Sequence, residues 1–180
     1  MAVNISAVEF RNDRFFEDVC SILESTGLEP RYLELELTET AVMRNFEATS
    51  VVLKSLSAMG IRIAVDDFGT GYSNLSYLKR LPINTLKLDR SLMHDIPECQ
   101  TMAGIVGSVI HIGQSLHLQV VAEGVENAQQ LKFLQAHDCV EGQGFYLSPP
   151  MSSAECQALI SRGARLQTRQ LSASTWRAIK

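Results

Sequence analysis

The chain lacks an excess of positive charge. Its 180 residues include 16 lysines and arginines against 20 aspartates and glutamates, a formal net charge of −4. Binding to the phosphate backbone of a nucleic acid polymer requires a basic surface. We therefore expect no nucleic acid polymer among the partners of this protein.

A long uninterrupted apolar run is also missing. The longest apolar stretch, residues 102–121, is broken by polar side chains that include His111, Gln114, His117 and Gln119. A membrane-spanning helix needs about 20 predominantly apolar residues, so we expect no span within this sequence. Residues 1–4 have neither the basic nor the apolar region of a signal peptide.

Cysteine is scarce, and no two cysteines form a C-x-x-C pair, which excludes the zinc-ribbon and thioredoxin motifs. Reduced thiols without a signal peptide are typical of the cytoplasm. We expect that localisation, which leaves open a membrane anchor elsewhere in a longer parent protein. We also expect all the cysteines to be small core residues. They are Cys20, Cys99, Cys139 and Cys156.

Short β-rich runs alternate with longer helical patterns, which predicts an α/β fold with a parallel sheet and helices on its faces. The six predicted strands cover residues 2–6, 32–38, 61–66, 85–89, 118–123 and 144–147. The predicted helices cover residues 13–26, 46–59, 73–79, 101–116, 127–136 and 154–162. A capping box of Ser152 and Glu155 opens the last helix. We interpret residues 1–162 as one domain and 163–180 as a polar tail, with a helical end near Trp176.

Polar side chains fall at or near the ends of all six predicted strands. They are Asn4, Glu36, Asp66, Asp67, Lys87, Glu123 and Gln143. In a closed barrel the ends of many strands meet at one rim that carries the chemistry, whereas an open sheet binds ligands at one switch point. Six contributing strands favour the barrel. A closed barrel of this type needs eight, so we predict an incomplete (β/α)₈ TIM-type barrel with about six strands present.

The pair Asp66-Asp67 is the sharpest local signal. Adjacent carboxylates at the end of an apolar strand repel each other unless a cation lies between them. Mg²⁺ and Mn²⁺ prefer such oxygen ligands, and a shared carboxylate can bridge two cations about 3.5–4 Å apart. The alternative is a simple acidic turn over residues 67–71, in which glycine supplies the positive φ.

Three further features add candidates. Glu36 and Glu39 close the second strand, while Glu34 is expected at the opposite end of the same face. Gly124, in the run after the fifth strand, is expected to let the backbone pass close to a ligand. Lys87 lies between apolar residues of a buried strand and must find a partner, for which Asp89 and a phosphate are the alternatives.

Six runs occur in a characteristic order: V-N-I-S (3–6), E-L-T-E-T (36–40), D-D-F-G-T-G-Y-S-N-L (66–75), L-K-L-D (86–89), V-V-A-E-G-V-E (120–126) and G-Q-G-F-Y-L-S-P-P-M (142–151). Together they resemble the EAL-domain phosphodiesterases of cyclic di-GMP over about residues 1–162. The resemblance implies a (β/α)₈ barrel, a pair of Mg²⁺ or Mn²⁺ ions, and hydrolysis of one phosphodiester bond to give linear pGpG.

The resemblance also implies a role for each matching position. The metal ligands would be Asn4, Glu36, Asp66, Asp67 and Glu123, with Asp66 bridging the two ions. Lys87 would hold the attacking water or stabilise negative charge, and Glu39 would anchor the loop over residues 67–74. The accessory site residues would be Asp89, Glu126 and Gln143.

The Glu-Ala-Leu triplet that names the family is absent from this sequence. In the family it lies on an upstream strand, and its glutamate is a metal ligand. The chain thus resembles a C-terminal portion without the first two strands. Three hypotheses stay open: a phosphodiesterase, a non-catalytic sensor of cyclic di-GMP, and an interaction module whose exposed strand edges form a homodimer, for example by domain swapping.

Overall fold

The computed structural model describes residues 1–70, 75–161 and 177–178. The chain divides into two compact units. The first comprises Met1–Leu88 with Gly113–Gln119, and the second comprises Asp89–Ile112 with Val120–Lys180.

The first unit contains four parallel strands that pair in chain order. They are β1 (Ala2–Ile5), β2 (Glu34–Thr38), β3 (Arg62–Phe68) and β4 (Thr85–Leu88). Five helices lie between them in the chain: α1 (Ala7–Phe10), α2 (Phe15–Thr26), α3 (Glu39–Met43), α4 (Phe46–Ala58) and α5 (Leu75–Leu78). This is the alternation of strand and helix that the sequence predicted.

The apolar residues of these strands and helices form the core of the first unit. Leu37 on β2, Ile63 on β3 and Leu53 on α4 are all fully buried. Strands buried on both faces read as nearly continuous apolar runs, which is why β3 is recognisable in the sequence. Helix α2 ends where predicted, because Gly27 adopts a left-handed φ of 68° and donates its N–H to the Leu23 carbonyl.

The remaining elements follow from residue 89 onward. The helices are α6 (Arg90–Met93), α7 (Gln100–Ser115), α8 (Ala128–Ala136) and α9 (Ser153–Ser161). The strands are β5 (Gln119–Ala122), β6 (Glu141–Gly142) and β7 (Arg177–Ala178), and β6 pairs in parallel with both β5 and β7. The predicted capping box before α9 is present, because Glu155 accepts from the Ser152 N–H at 2.7 Å and the Glu155 N–H donates to the Ser152 hydroxyl at 3.3 Å.

The sixth predicted strand is wrong. Residues 144–147 form a turn, and strand β6 lies two residues earlier. The turn closes through the Leu147 N–H, which donates to the Gly144 carbonyl, and the Tyr146 N–H, which donates to the Val125 carbonyl, both at 3.0 Å. These two bonds, one within the turn and one to the distant Val125, use backbone N–H groups that a continuing strand would pair with its neighbour.

The expectation that every cysteine is buried is also wrong. Cys139 is 1% exposed, whereas Cys20 and Cys156 are half-buried and Cys99 is exposed. Cys99 belongs to the exposed run 97–101 around the start of α7.

Two predictions concern the end of the chain. The predicted helical end near Trp176 lies outside the described residues, as does the rest of the tail except residues 177–178. The sequence predicts no strand in the tail, yet Arg177 and Ala178 pair with Glu141 and Gly142 as strand β7. In the part of the chain that the structure describes, no helix combines the length and the apolar character needed to cross a bilayer.

Candidate active site

Strand β3 carries a bulge at the two adjacent aspartates. Val65 pairs with Leu86 of β4 and Phe68 pairs with Leu88, so two β3 residues lie opposite the single β4 residue Lys87. The two residues opposite Lys87 are Asp66 and Asp67, so one of them is the extra residue of the bulge. A bulge of this kind bends the strand and redirects side chains.

The bulge brings both carboxylates together. Neighbouring residues of a regular strand point to opposite faces, but Asp67 adopts a left-handed φ of 54°. A carboxylate oxygen of Asp66 and one of Asp67 lie within 4.8 Å of each other, and the Asp67 N–H donates to Asp66 Oδ1 at 3.0 Å. The backbone turn that brings the two carboxylates together therefore lies inside strand β3.

Lys87 lies between two carboxylates. Its Nζ is 2.8 Å from Glu36 Oε2 and 3.1 Å from Asp66 Oδ1, and the three side chains are 8–14% exposed. These partners differ from the alternatives left open by the sequence, which were Asp89 and a phosphate. Strand pairing explains them: β3 lies between β2 and β4, so side chains on one face of all three strands meet.

Asn4 and Glu36 are direct neighbours across the β1–β2 ladder. Asn4 is exposed and Glu36 is buried. Two residues further along the next ladder, Thr38 pairs with Asp66. The register therefore places an amide and three carboxylates, those of Glu36, Asp66 and Asp67, on the C-terminal halves of three adjacent strands.

Glu39 holds the segment that follows the bulge. It is the first residue of α3, which Thr38 caps by accepting the Ala41 N–H. Glu39 is 4% exposed, and its Oε2 accepts the Gly69 N–H at 3.2 Å. Gly69 has a φ of 98°, which only glycine adopts readily. Residues 71–74 of the loop assigned to Glu39 lie outside the described residues.

A second polar network lies at the other ends of the same strands. Arg62 donates to Glu34 Oε2 at 2.9 Å, to the Thr85 hydroxyl at 3.2 Å and to Gln119 Oε1 at 2.8 Å. The two-residue alternation of Glu34 and Glu36 predicted that Glu34 lies on the same face, at the end opposite the site. That alternation does not reveal cross-strand partners, so the sequence did not predict the network.

The other predicted site residues belong to the second unit. Asp89 caps α6 by accepting the Ser91 N–H at 2.9 Å. Partial burial raises the pKa of its carboxyl, but hydrogen bonds to Ser91 and the nearby Arg90 charge outweigh it, so the pKa lies below its usual value. Glu123 is half-buried, and Glu126 is exposed.

Backbone bonds tie the run after β5 to the run after β6. The Gln143 N–H donates to the Ala122 carbonyl at 2.8 Å, and the Val125 N–H donates to the Gln143 carbonyl at 3.0 Å. Gly124 has a φ of 67°. The neighbour that its missing side chain accommodates is Arg90, whose Cβ would lie 2.6 Å from an added Cβ. The requirement for glycine at 124 thus comes from helix α6, whereas the sequence predicted a ligand.

The donor set of the first unit suits a hard divalent cation. Asn4, Glu36, Asp66 and Asp67 offer an amide and three carboxylates, all of them oxygen ligands, at one end of three strands. Mg²⁺ and Mn²⁺ take such ligands, whereas soft metals prefer thiolates and thioethers.

Comparison with known proteins decides the family. The model of the EAL domain family matches residues 1–150. This chain belongs to the EAL domain family. The sequence is 43% identical over 161 residues to MucR of Pseudomonas aeruginosa, a bifunctional diguanylate cyclase/cyclic di-GMP phosphodiesterase. That match covers 89% of this chain and 24% of MucR, so the chain spans about a quarter of that relative.

Solved EAL structures confirm the α/β, TIM-barrel type of fold. A PaMucR phosphodiesterase in complex with c-di-GMP matches with a TM-score of 0.83 and 44% identity, over 86% of this chain and 63% of that one. A manganese and cyclic di-GMP complex of Klebsiella pneumoniae BlrP1 matches with a TM-score of 0.69 and 36% identity, over 76% of this chain and 35% of that one.

Proposed function

We propose that this EAL domain hydrolyses cyclic di-GMP to linear pGpG with Mg²⁺ or Mn²⁺. The observation that carries the proposal is the β3 bulge, which sets Asp66 and Asp67 opposite Lys87, whose ammonium pairs with both Asp66 and Glu36. The relative MucR, named as a phosphodiesterase of this dinucleotide, supports the choice of substrate. The manganese complex of BlrP1 supports the choice of cation.

Each side chain has a proposed role. Asn4, Glu36, Asp66, Asp67 and Glu123 would hold two cations, with Asp66 shared between them. Cations held in this way supply an activated water and stabilise charge on the phosphoryl oxygens. The buried ammonium of Lys87 would hold the attacking water or stabilise the negative charge that develops on the phosphate. Glu39 would keep the segment after the bulge in place, and Asp89, Glu126 and Gln143 would contact the substrate.

The proposal extends to the setting of the domain. We propose that residues 1–162 form the EAL domain and that 163–180 form a tail. We propose that it works in the cytoplasm as a homodimer in bacterial cyclic di-GMP signalling. Light scattering of the purified chain checks the dimer, because a monomer at all concentrations would contradict it.

The enzymatic proposal is tested by measuring pGpG release from cyclic di-GMP by chromatography, with Mg²⁺ and with Mn²⁺. We expect turnover that a chelator abolishes. Asp66→Asn removes a charge from the bulge and should lower turnover by at least about 100-fold. Asp13→Asn, the same change at an exposed position, should leave turnover unchanged. Equal turnover by Asp66→Asn and the parent would contradict the proposal.

A sensor that binds cyclic di-GMP without cleaving it is the second candidate, and the complex of PaMucR with c-di-GMP supports the choice of ligand. Calorimetry distinguishes the two functions, because a sensor binds cyclic di-GMP with Mn²⁺ present and releases no pGpG. Failure to bind the dinucleotide excludes the sensor.

A further inference from the structure

Gln130 in the first turn of α8 is a buried polar residue outside every motif above. It is 3% exposed, and a buried amide must satisfy both its donor and its acceptor. Its Nε2 donates to the Met93 carbonyl at 2.8 Å. Its oxygen accepts the Glu126 N–H at 2.7 Å and the Asn127 N–H at 3.2 Å. One side chain therefore joins two separate segments of the second unit.

Helix capping explains only one of these three bonds. Asn127 is the N-cap of α8, and Gln130 returns a bond to the Asn127 N–H as a capping box requires. A capping box does not require the other two bonds, which Gln130 makes to Met93 and Glu126. Met93 is the last residue of α6, while Glu126 closes the run that starts at Glu123.

Two other contacts restrict the same run. Gly124 packs against Arg90 of α6, and Val125, which is fully buried, bonds to Gln143 and Tyr146 through its backbone. Gln130 completes this arrangement from the side of α8. Because Gln130 fixes the residue next to Val125, its loss would release the C-terminal end of the run.

We propose that Gln130 is a positioning residue that fixes the backbone between Glu123 and Glu126 against helix α6, so that the Glu123 carboxylate is held in place for cation binding. This inference rests on the proposed phosphodiesterase function. Removing groups that orient a metal ligand typically costs 10–100-fold in metal affinity or activity, which sets the expected size of the effect.

Three variants of the full chain test the inference. Gln130→Met keeps the approximate length of the side chain and removes all three bonds. Gln130→Glu keeps an acceptor for the two amides and loses the donor to Met93. Gln129→Met makes the first change at the exposed neighbouring position. The readouts are amide hydrogen exchange, the dissociation constant for Mn²⁺, and kcat and KM for cyclic di-GMP.

For Gln130→Met we expect exchange at the Glu126 and Asn127 amides to rise at least about 10-fold, while Mn²⁺ affinity and kcat each fall about 10–100-fold with little change in KM. Gln130→Glu should restore protection of the two amides and part of kcat. Gln129→Met should match the parent in every readout.

The outcomes separate this inference from the function on which it rests. Faster exchange in Gln130→Met with parental Mn²⁺ affinity would overturn it, because Gln130 would then only cap α8. A parent that releases no pGpG would overturn the proposed function, and Mn²⁺ affinity in the same variants would still decide the positioning role.

Discussion

Lys87 Nζ lies 2.8 Å from Glu36 Oε2, with the two side chains only 8% and 10% exposed. Asp66 lies on the other side of the same ammonium, at 3.1 Å. Burying charges costs free energy that only good pairing returns. The stability of this buried cluster therefore depends on Glu36, Asp66 and Lys87 together. The cluster places two carboxylates around the single ammonium of Lys87.

Replacing Lys87 tests this dependence. Lys87→Met keeps the length of the side chain but leaves two buried carboxylates without their ammonium, so we expect a loss of about 3–5 kcal/mol in the free energy of unfolding. Urea denaturation in the presence of a chelator measures the loss.

The matched control for Lys87 is Lys54→Met, the same change at an exposed position of α4, which should alter stability by less than about 0.5 kcal/mol. Adding Mn²⁺ should return part of the stability of Lys87→Met, because a ligand that binds only the folded state stabilises it. Equal unfolding free energies for the two variants would contradict the buried triad.

Glu39 is predicted to control the segment after the bulge. Glu39→Leu removes the acceptor for the Gly69 N–H, and a hydrogen bond to a charged group contributes about 1.5–3 kcal/mol. We expect the Gly69 amide to exchange about 10–100-fold faster, as measured by nuclear magnetic resonance. Glu39→Gln keeps an acceptor oxygen and should exchange at nearly the parental rate. Unchanged exchange in Glu39→Leu would show that the bond does not hold Gly69.

Two glycines should respond to alanine in opposite directions. A Cβ on Gly144 would overlap the Val125 backbone, whereas one on Gly104 in α7 meets nothing within 4 Å. Gly144→Ala should cost about 1–3 kcal/mol through overpacking, and Gly104→Ala should gain about 0.5–1 kcal/mol through helix propensity. Urea midpoints of the two variants measure the contrast, and a stable Gly144→Ala would refute the close packing of these two runs.

Cys139 should make stability fall at alkaline pH. Burial, assisted by the charge of Glu141, raises the pKa of its thiol from 9.0 to about 11. Between these pH values the unfolded chain releases a proton that the folded chain keeps, so stability decreases as pH rises through this window and is unaffected below it. The contribution is about 2–3 kcal/mol at most.

Urea denaturation at pH 8 and pH 10.5 checks the effect of Cys139. Cys139→Ala should lose less stability than the parent between these two pH values. Cys99→Ala, at an exposed position, should lose as much stability as the parent. Identical pH dependence in all three proteins would argue against a buried neutral thiol.

The sequence was sufficient for the strands that are apolar and continuous. Strand β3 was predicted over 61–66 and is observed over 62–68, because burial on both faces leaves an unbroken apolar run. The turn at 144–147 was misread because Phe145 and Tyr146 favour strands by propensity, while bonds to the distant Val125 determine the actual structure.

The sequence could propose residue types for the candidate site, but it could not predict how their side chains are arranged. The adjacent carboxylates of Asp66 and Asp67 predict a cation site because they repel each other in any fold. Their bulge depends on the register with β4, and the partners of Lys87 depend on which strands lie beside it. Neither is encoded within a few residues of the chain. The sequence could not predict the contacts of Gln130 for the same reason, since its partner Met93 is 37 positions away.

The bulge has a consequence for how this segment can change in evolution. Between Val65 and Phe68 the strand spans three steps where its neighbour, from Leu86 to Leu88, takes two. Losing one codon here would even out the count while leaving Phe68 opposite Leu88, and it would abolish the bulge that brings the Asp66 and Asp67 carboxylates together. The length of this segment should therefore vary among relatives as little as the two aspartates themselves.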